Sequence, residues 1–234
     1  MTNGSGTDAE SMIAEARKAL WVMVTILGVL WAVQLLNWAV GYHLSQDYGI
    51  RPRSLGSLPD IFTAPFLHFS WAHIEGNSGP LFIFGFLAAY RGVRKFLALT
   101  VLVVLASGLG AWFTEASHTV GAGASGVVFG YFGYIIVRGV FDRRKIDIVI
   151  GLVMALCFAY QFSVLLPAKG IGWQAHLFGF IGGIVGGWLF RDHRPVSAGP
   201  PAVAAGPATV AKGDTLPQGG SAAELLRQLD EMGF

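Results

Sequence analysis

The sequence predicts an all-α membrane protein of six transmembrane helices, and three observations predict it. Apolar residues make up 53% of the 234 and charged residues 13%, about half the charged fraction of a soluble domain, with a mean hydropathy of +0.56. Six apolar runs, roughly 19–41, 72–90, 96–114, 123–140, 146–166 and 172–190, approach the about 20 residues that cross a hydrocarbon core at about 1.5 Å per residue. Glycine occurs 32 times, which suits helices whose backbones pack closely in a membrane.

Taken in order, residues 1–18 are polar and read as a mobile segment before the first span. The first run is longer than a signal-peptide core and lacks an A-x-A-like exit, so it reads as a retained span. Residues 42–71 form a long loop carrying Leu55, Leu58, Ile61, Phe62 and Phe66. It is too short in apolar length to cross and is expected to lie in the membrane interface. The fourth run is short, and Gly121, Gly123 and Gly126 crowd its start. The domain reading is therefore a segment at 1–18, a six-span domain at 19–190 and a flexible tail at 191–234. The tail is Pro/Ala/Gly-rich from about 195 to 220. It ends in SAAELLRQLDEMGF, where Leu225, Leu226, Leu229 and Met232 have helical spacing. Ser221 and Glu224 form a capping box for that short amphipathic helix.

Basic residues near span ends set the orientation. Eleven Lys and Arg fall on the side shared by both termini, and three (Arg51, Arg53 and Lys169) on the other. Both termini are thus expected in the cytoplasm. The net charge of +2 is small and dispersed, which argues against a nucleic-acid partner. Cys157 is the single cysteine, so there is no disulfide framework, and it reads as a small buried apolar side chain. His43, His118 and His193 read as surface residues. The seven tryptophans mostly fall near span ends, as an interfacial belt does.

Polar groups are costly inside a membrane and so are functional candidates. Under this topology spans two, four and six run in the same direction. His68, His73 and Asn77 lie at the start of span two, Ser125 at the start of span four, and His176 four residues into span six. All share one depth, just below the outer surface. Ser125 sits in GAGASGVVFG. A serine nucleophile needs an adjacent base and N–H groups aimed at the oxyanion, and the first turn of a helix has unpaired N–H groups. The plainer reading of such a serine is a helix cap or a packing residue. His176 sits in GWQAHLFGFIGGIVGGW, with Gly179, Gly183 and Gly187 on its face. Span four has its own stripe at Gly126, Gly130 and Gly133, so the two helices can approach closely. Here the alternative is a histidine hydrogen-bonded for packing. Within spans four to six the one carboxylate is Asp147, at the cytoplasmic start of span five and far from Ser125, which predicts a Ser–His dyad rather than a triad. His73 and Asn77, at i and i+4, share a helix face. Asn77 could donate to the oxyanion with His73 in support, and His68 could instead stabilise the preceding loop.

Over residues 19–190 the chain resembles the rhomboid family of intramembrane serine proteases. The resemblance rests on HFSWAHIEGN in span two, GASG at the start of span four and AHLFGFIGG in span six. It implies a six-transmembrane-helix rhomboid bundle with a water-filled cavity opening to the outer side. By this likeness Ser125 is the nucleophile and His176 the general base. His73 and Asn77 belong to the oxyanion region with the backbone N–H of Ser125, and Gly123 shapes the turn. His68, Gly126, Phe129, Gly179 and Gly183 line or pack the cavity. Phe129 stands where many members have a tyrosine stacked on the histidine, and keeps the ring. The first loop reads GIRPRSL, without the Trp-Arg pair of some relatives.

The resemblance implies no metal and no soluble cofactor. Its partners are the lipid bilayer and transmembrane protein substrates, and its place is a bacterial plasma membrane. Alternative readings are a catalytically inactive rhomboid-like protein that binds membrane helices, a transporter or channel, and an intramembrane metalloprotease. The last lacks HExxH, and the polar groups form no continuous path across the bilayer.

Overall fold

The computed structural model describes residues 4–167 and 172–192. Among them every regular element is helical, and the one β-type pairing is an isolated bridge between Ile50 and Gly121. Seven α-helices follow in chain order: α1 Gly4–Ala39, α2 His43–Asp47, α3 Trp71–Ala89, α4 Val93–Thr114, α5 Ser125–Phe141, α6 Lys145–Cys157 and α7 Trp173–Leu189. The six apolar runs correspond to α1, α3, α4, α5, α6 with its extension, and α7. By length and composition α1 (over Ala9–Ala39) and α4 can cross a membrane, and α6 with its extension can if the bent pair counts as one span. The 17 residues of α5 reach about 26 Å.

The polar N-terminal segment expected to be mobile is instead helical from Gly4. AEARKAL is made of strong helix formers, and Lys18 pairs with Glu15 at 2.7 Å. The helix stops because Gly41 takes a left-handed φ of 66°. This lets the Gly41 and Tyr42 N–H groups bond back to the carbonyls of Trp38 and Asn37, a Schellman ending. His43, expected in a loop, begins α2 and is exposed.

The first loop is built of three 3-10 turns, Leu55–Ser57, Pro59–Ile61 and Ala64–Phe66. Ile61 is buried because it fills the notch left by Gly108 on α4, where a Cβ would come within 2.4 Å of it. Arg53 supplies the anchor that the sequence pattern left open. Its N–H donates to the Trp112 carbonyl at 3.1 Å, and its guanidinium reaches the Phe113 carbonyl at 3.3 Å and Ser117 Oγ at 3.1 Å. Trp112 Nε1 in turn donates to the Ser54 carbonyl at 2.9 Å.

The apolar run 146–166 is not one helix. After Cys157 it bends by 69° into a 3-10 segment, Ala159–Leu165. Aromatic packing accounts for the break: Phe158 meets Phe84 edge-on at 4.8 Å, and Phe162 lies 5.4 Å from Phe132. Ser163 Oγ donates locally to the Tyr160 carbonyl, competing with helix bonding. Cys157, expected to be buried, is exposed, because α6 turns Asp147 and Gly151 inward and leaves Leu152, Val153 and Leu156 outside. Lys169, His193 and the tail beyond Asp192, where the short amphipathic helix was expected, lie outside the described residues.

At the basic end of the bundle the charged residues are buried or partly buried, and paired. Asp147 on α6 joins Arg91 at 2.7 Å and Arg138 at 3.0 Å, and Arg91 also reaches Asp142 at 3.5 Å. Lys95 pairs with Asp192, whose own N–H donates to Asp142 at 2.7 Å. Helices α3 to α7 are thereby tied together where they end or begin.

Candidate active site

Close backbone approach of α5 and α7 comes first, because every other distance follows from it. A Cβ on Gly179 would stand 2.1 Å from the Gly126 carbonyl oxygen, and one on Gly183 would stand 1.9 Å from that of Gly130. The far side of α5 is equally tight, with Gly126 against Ser107 and Gly130 against Val103 of α4. The helices therefore touch backbone to backbone, and side chains near their site ends must meet.

Those side chains are Ser125, the first residue of α5, and His176 on α7. His176 Nε2 and Ser125 Oγ are 2.9 Å apart. The other ring nitrogen, Nδ1, lies 3.1 Å from the Val164 carbonyl. A carbonyl oxygen can only accept, so Nδ1 carries the proton and Nε2 is left to accept from the serine hydroxyl. The broken α6 makes this possible, since in a continuous helix the carbonyl of residue 164 would bond along its own helix. Phe129, one turn after Ser125, stacks on the imidazole with centroids 4.5 Å apart and planes at 23°, which holds the ring's tilt.

The turn before Ser125 is set by Gly123. Its φ of 130° is open to glycine, and a Cβ there would strike His73 Nε2 at 2.7 Å. The Gly123 N–H donates to the Ala64 carbonyl at 2.9 Å. The next N–H, of Ala124, donates to His68 Nε2 at 3.3 Å. His68 is fully buried, its ring edge-on to His73 at 4.9 Å, and its carbonyl accepts from Asn37 at 2.9 Å and Ser45 at 3.1 Å. Burial, with His73 beside it, holds the His68 imidazole at about 3, well below its ordinary 6.5. The neutral ring so favoured is the form that can accept the Ala124 N–H.

Asn77, on α3 one turn after His73, is 8% exposed, and its Nδ2 has no hydrogen-bond partner among the described residues. It lies 3.7 Å from the Cβ position of Gly123. Ser125, His176, His73, Asn77, Gly126 and Phe129 all line one cavity of about 880 Å³, and His68 stands behind its wall. The arrangement holds a hydroxyl beside an unprotonated imidazole nitrogen, next to unpaired N–H donors, which is the equipment of acyl transfer.

Three contributors were not picked out from the sequence: the Val164 carbonyl, the Asn37–Ser45 pair behind His68, and Ser107 against Gly126. Asn37 and Gln34 are fully buried polar residues in an apolar run, and that signal could have found Asn37.

A model of the rhomboid domain matches residues 56–193. The chain belongs to the rhomboid family. An uncharacterized protein of Mycobacterium tuberculosis is 31% identical over 203 residues, covering 81% of this chain and 84% of its own length. The candidate rhomboid protease YdcA of Bacillus subtilis is 28% identical over 179 residues, covering 75% and 84%. The chloroplastic rhomboid-like protein 11 of Arabidopsis thaliana is 30% identical over 185 residues, covering 69% and 65%. Rhomboids act on membrane-protein substrates within the bilayer, and the apolar helices of this one fit that setting. The matched region contains the whole cavity apart from Ile50.

Proposed function

We propose that this rhomboid is an intramembrane serine endopeptidase with a Ser125–His176 dyad. The observation that carries the reading is the 2.9 Å approach of His176 Nε2 to Ser125 Oγ on the wall of a cavity large enough for an extended peptide. Ser125 Oγ attacks the scissile carbonyl while His176 takes its proton. The oxyanion is received by the Ser125 N–H, at the open first turn of α5, and by Asn77 Nδ2, with His73 beside it. His176 then protonates the leaving amine, and water hydrolyses the acyl-enzyme. The Val164 carbonyl stands where a triad would have its carboxylate: it orients the imidazole without adding charge.

On this reading α1, α3, α4, α5, the bent α6 pair and α7 are the six spans of a domain at 19–190. Segment 1–18 and tail 191–234 face the cytoplasm of a bacterial cell, and the cavity opens on the outer side. Eleven basic residues against three support that orientation. The apolar Leu55, Phe62 and Phe66, all exposed, support a first loop resting in the interface.

Ser125→Ala should leave the fold unchanged and lower cleavage of a single-span model substrate at least about a thousandfold. A fluorophosphonate probe should label the wild type and not the variant. Undiminished cleavage by Ser125→Ala would refute the dyad. An intact, unlabelled and inactive wild type would favour a helix-binding role.

A further inference from the structure

Glu115 has no part in the chemistry above, yet it holds the one carboxylate on the cavity wall among the described residues, and no Lys or Arg lines that wall. It follows the last turn of α4 and is 6% exposed. Its N–H closes the last turn of α4 on the Ala111 carbonyl, but no hydrogen bond or ion pair engages its carboxylate among the described residues. Its Oε1 lies 2.9 Å from the Cβ position of Gly172, the residue that precedes α7, and its Oε2 lies 3.4 Å from that of Gly121. The carboxylate is thus held between the turn leading to Ser125 and the start of the helix that carries His176. Burial raises the Glu115 carboxyl above the usual carboxylate range. Burial opposes ionisation, and a cation arriving in the cavity would relieve that opposition.

Its distance from the reacting atoms follows from helix geometry. Gly172 precedes His176 by four residues, or about 6 Å along α7. An extended peptide advances about 3.3 Å per residue, so a side chain meeting Glu115 belongs to a residue about two positions from the scissile bond. Ala111 and Ser107, one and two turns back along α4, line the same wall toward Gly126 and present no charge. Among the described residues Glu115 is the only Asp, Glu, Lys or Arg on that wall.

We infer that Glu115 forms a specificity subsite that takes a Lys or Arg side chain of the membrane-protein substrate, within about two residues of the cleaved bond. This rests on the protease reading above. A buried carboxylate rewards a matching cation and penalises an anion most where water is excluded. The effect should fall on which substrates are cut, not on whether bonds are broken.

The test uses the purified full chain in proteoliposomes with a single-span substrate that the wild type cleaves. Lys, Gln and Glu are placed in turn at each of three positions on either side of the cut. At one position the wild type should cleave the Lys substrate at least about tenfold faster than the Gln substrate, by the strength of a charge-assisted contact. Glu115→Gln should bring the Lys-to-Gln ratio to about one by slowing the Lys substrate selectively, and Glu115→Lys should favour the Glu substrate. Equal wild-type rates on Lys and Gln at every position overturn the subsite. So does a uniform loss on all substrates in Glu115→Gln, which marks a structural role. Lys169, three residues before Gly172 in sequence, lies outside the described residues, and the same uniform loss in Lys169→Gln would assign Glu115 to it instead. Failure of the protease reading has a different signature: the wild type cleaves nothing, or Ser125→Ala cleaves as well.

Discussion

The two ends of the bundle treat polar groups in opposite ways. At the basic end Asp147, Arg91, Arg138 and Asp142 are partly or fully buried, and each lies in an ion pair of 3.5 Å or less. At the cavity end Asn77 Nδ2 is buried without a partner and Glu115 has none among the described residues. A folded chain ordinarily pairs what it buries. The cavity end departs from that rule next to a backbone contact that cannot relax, since Gly179 and Gly126 already touch. One end clamps the helices, with Arg144 Nε beside the clamp left unpaired among the described residues, and the other keeps unpaired groups on the wall of a cavity.

The contrast can be broken most strongly at the clamp. Asp147→Ala leaves Arg138 and Arg91 short of their closest partner and should cost about 3–5 kcal/mol of stability, measured by thermal unfolding in detergent, with turnover per folded molecule unchanged. A smaller effect of opposite kind is expected at the cavity. Asn77→Ala should lower cleavage about 100- to 1000-fold, the worth of one oxyanion donor. Stability should hold or rise, because the variant removes an unsatisfied buried donor. A stability loss matching the activity loss would show Asn77 to be structural.

The third test is pH, read over its first unit below 6.5, where the effect is smallest. His68 holds its proton only below about 3 when folded, against 6.5 ordinarily. Between those values the unfolded chain binds a proton that the folded chain refuses. Stability should therefore fall as pH drops from 6.5 toward 3, by up to about 1.4 kcal/mol per pH unit from this group, and be independent of it above 6.5. His68→Gln should flatten that slope in unfolding scans across the window.

Much of this was legible in the sequence, for physical reasons particular to membranes. Apolar runs long enough to matter are few, so α1 and α4 stand out from length and composition alone. The approach of Ser125 to His176 was legible because Gly179 and Gly183 recur at helical spacing opposite Gly126 and Gly130. The rest depended on groups that composition does not mark. The break after Cys157 sits in an apolar run with no internal proline, and it is the packing of Phe158 and Phe162 that turns the chain. The clamp was hidden because Asp142 and Asp147 fall among Arg143, Arg144 and Lys145, where any charge looks solvated. Segment 1–18 reads as mobile because its polarity resembles that of a disordered end, although the Ala, Glu, Arg and Lys of its described part are good helix formers.

The Val164 carbonyl that meets His176 Nδ1 belongs to the main chain, so no side-chain replacement removes it. Alanine scanning and saturation libraries would pass over the group that fixes the imidazole tautomer. Swapping the amide after residue 164 for an ester, by chemical synthesis, would weaken that acceptor while leaving every side chain in place.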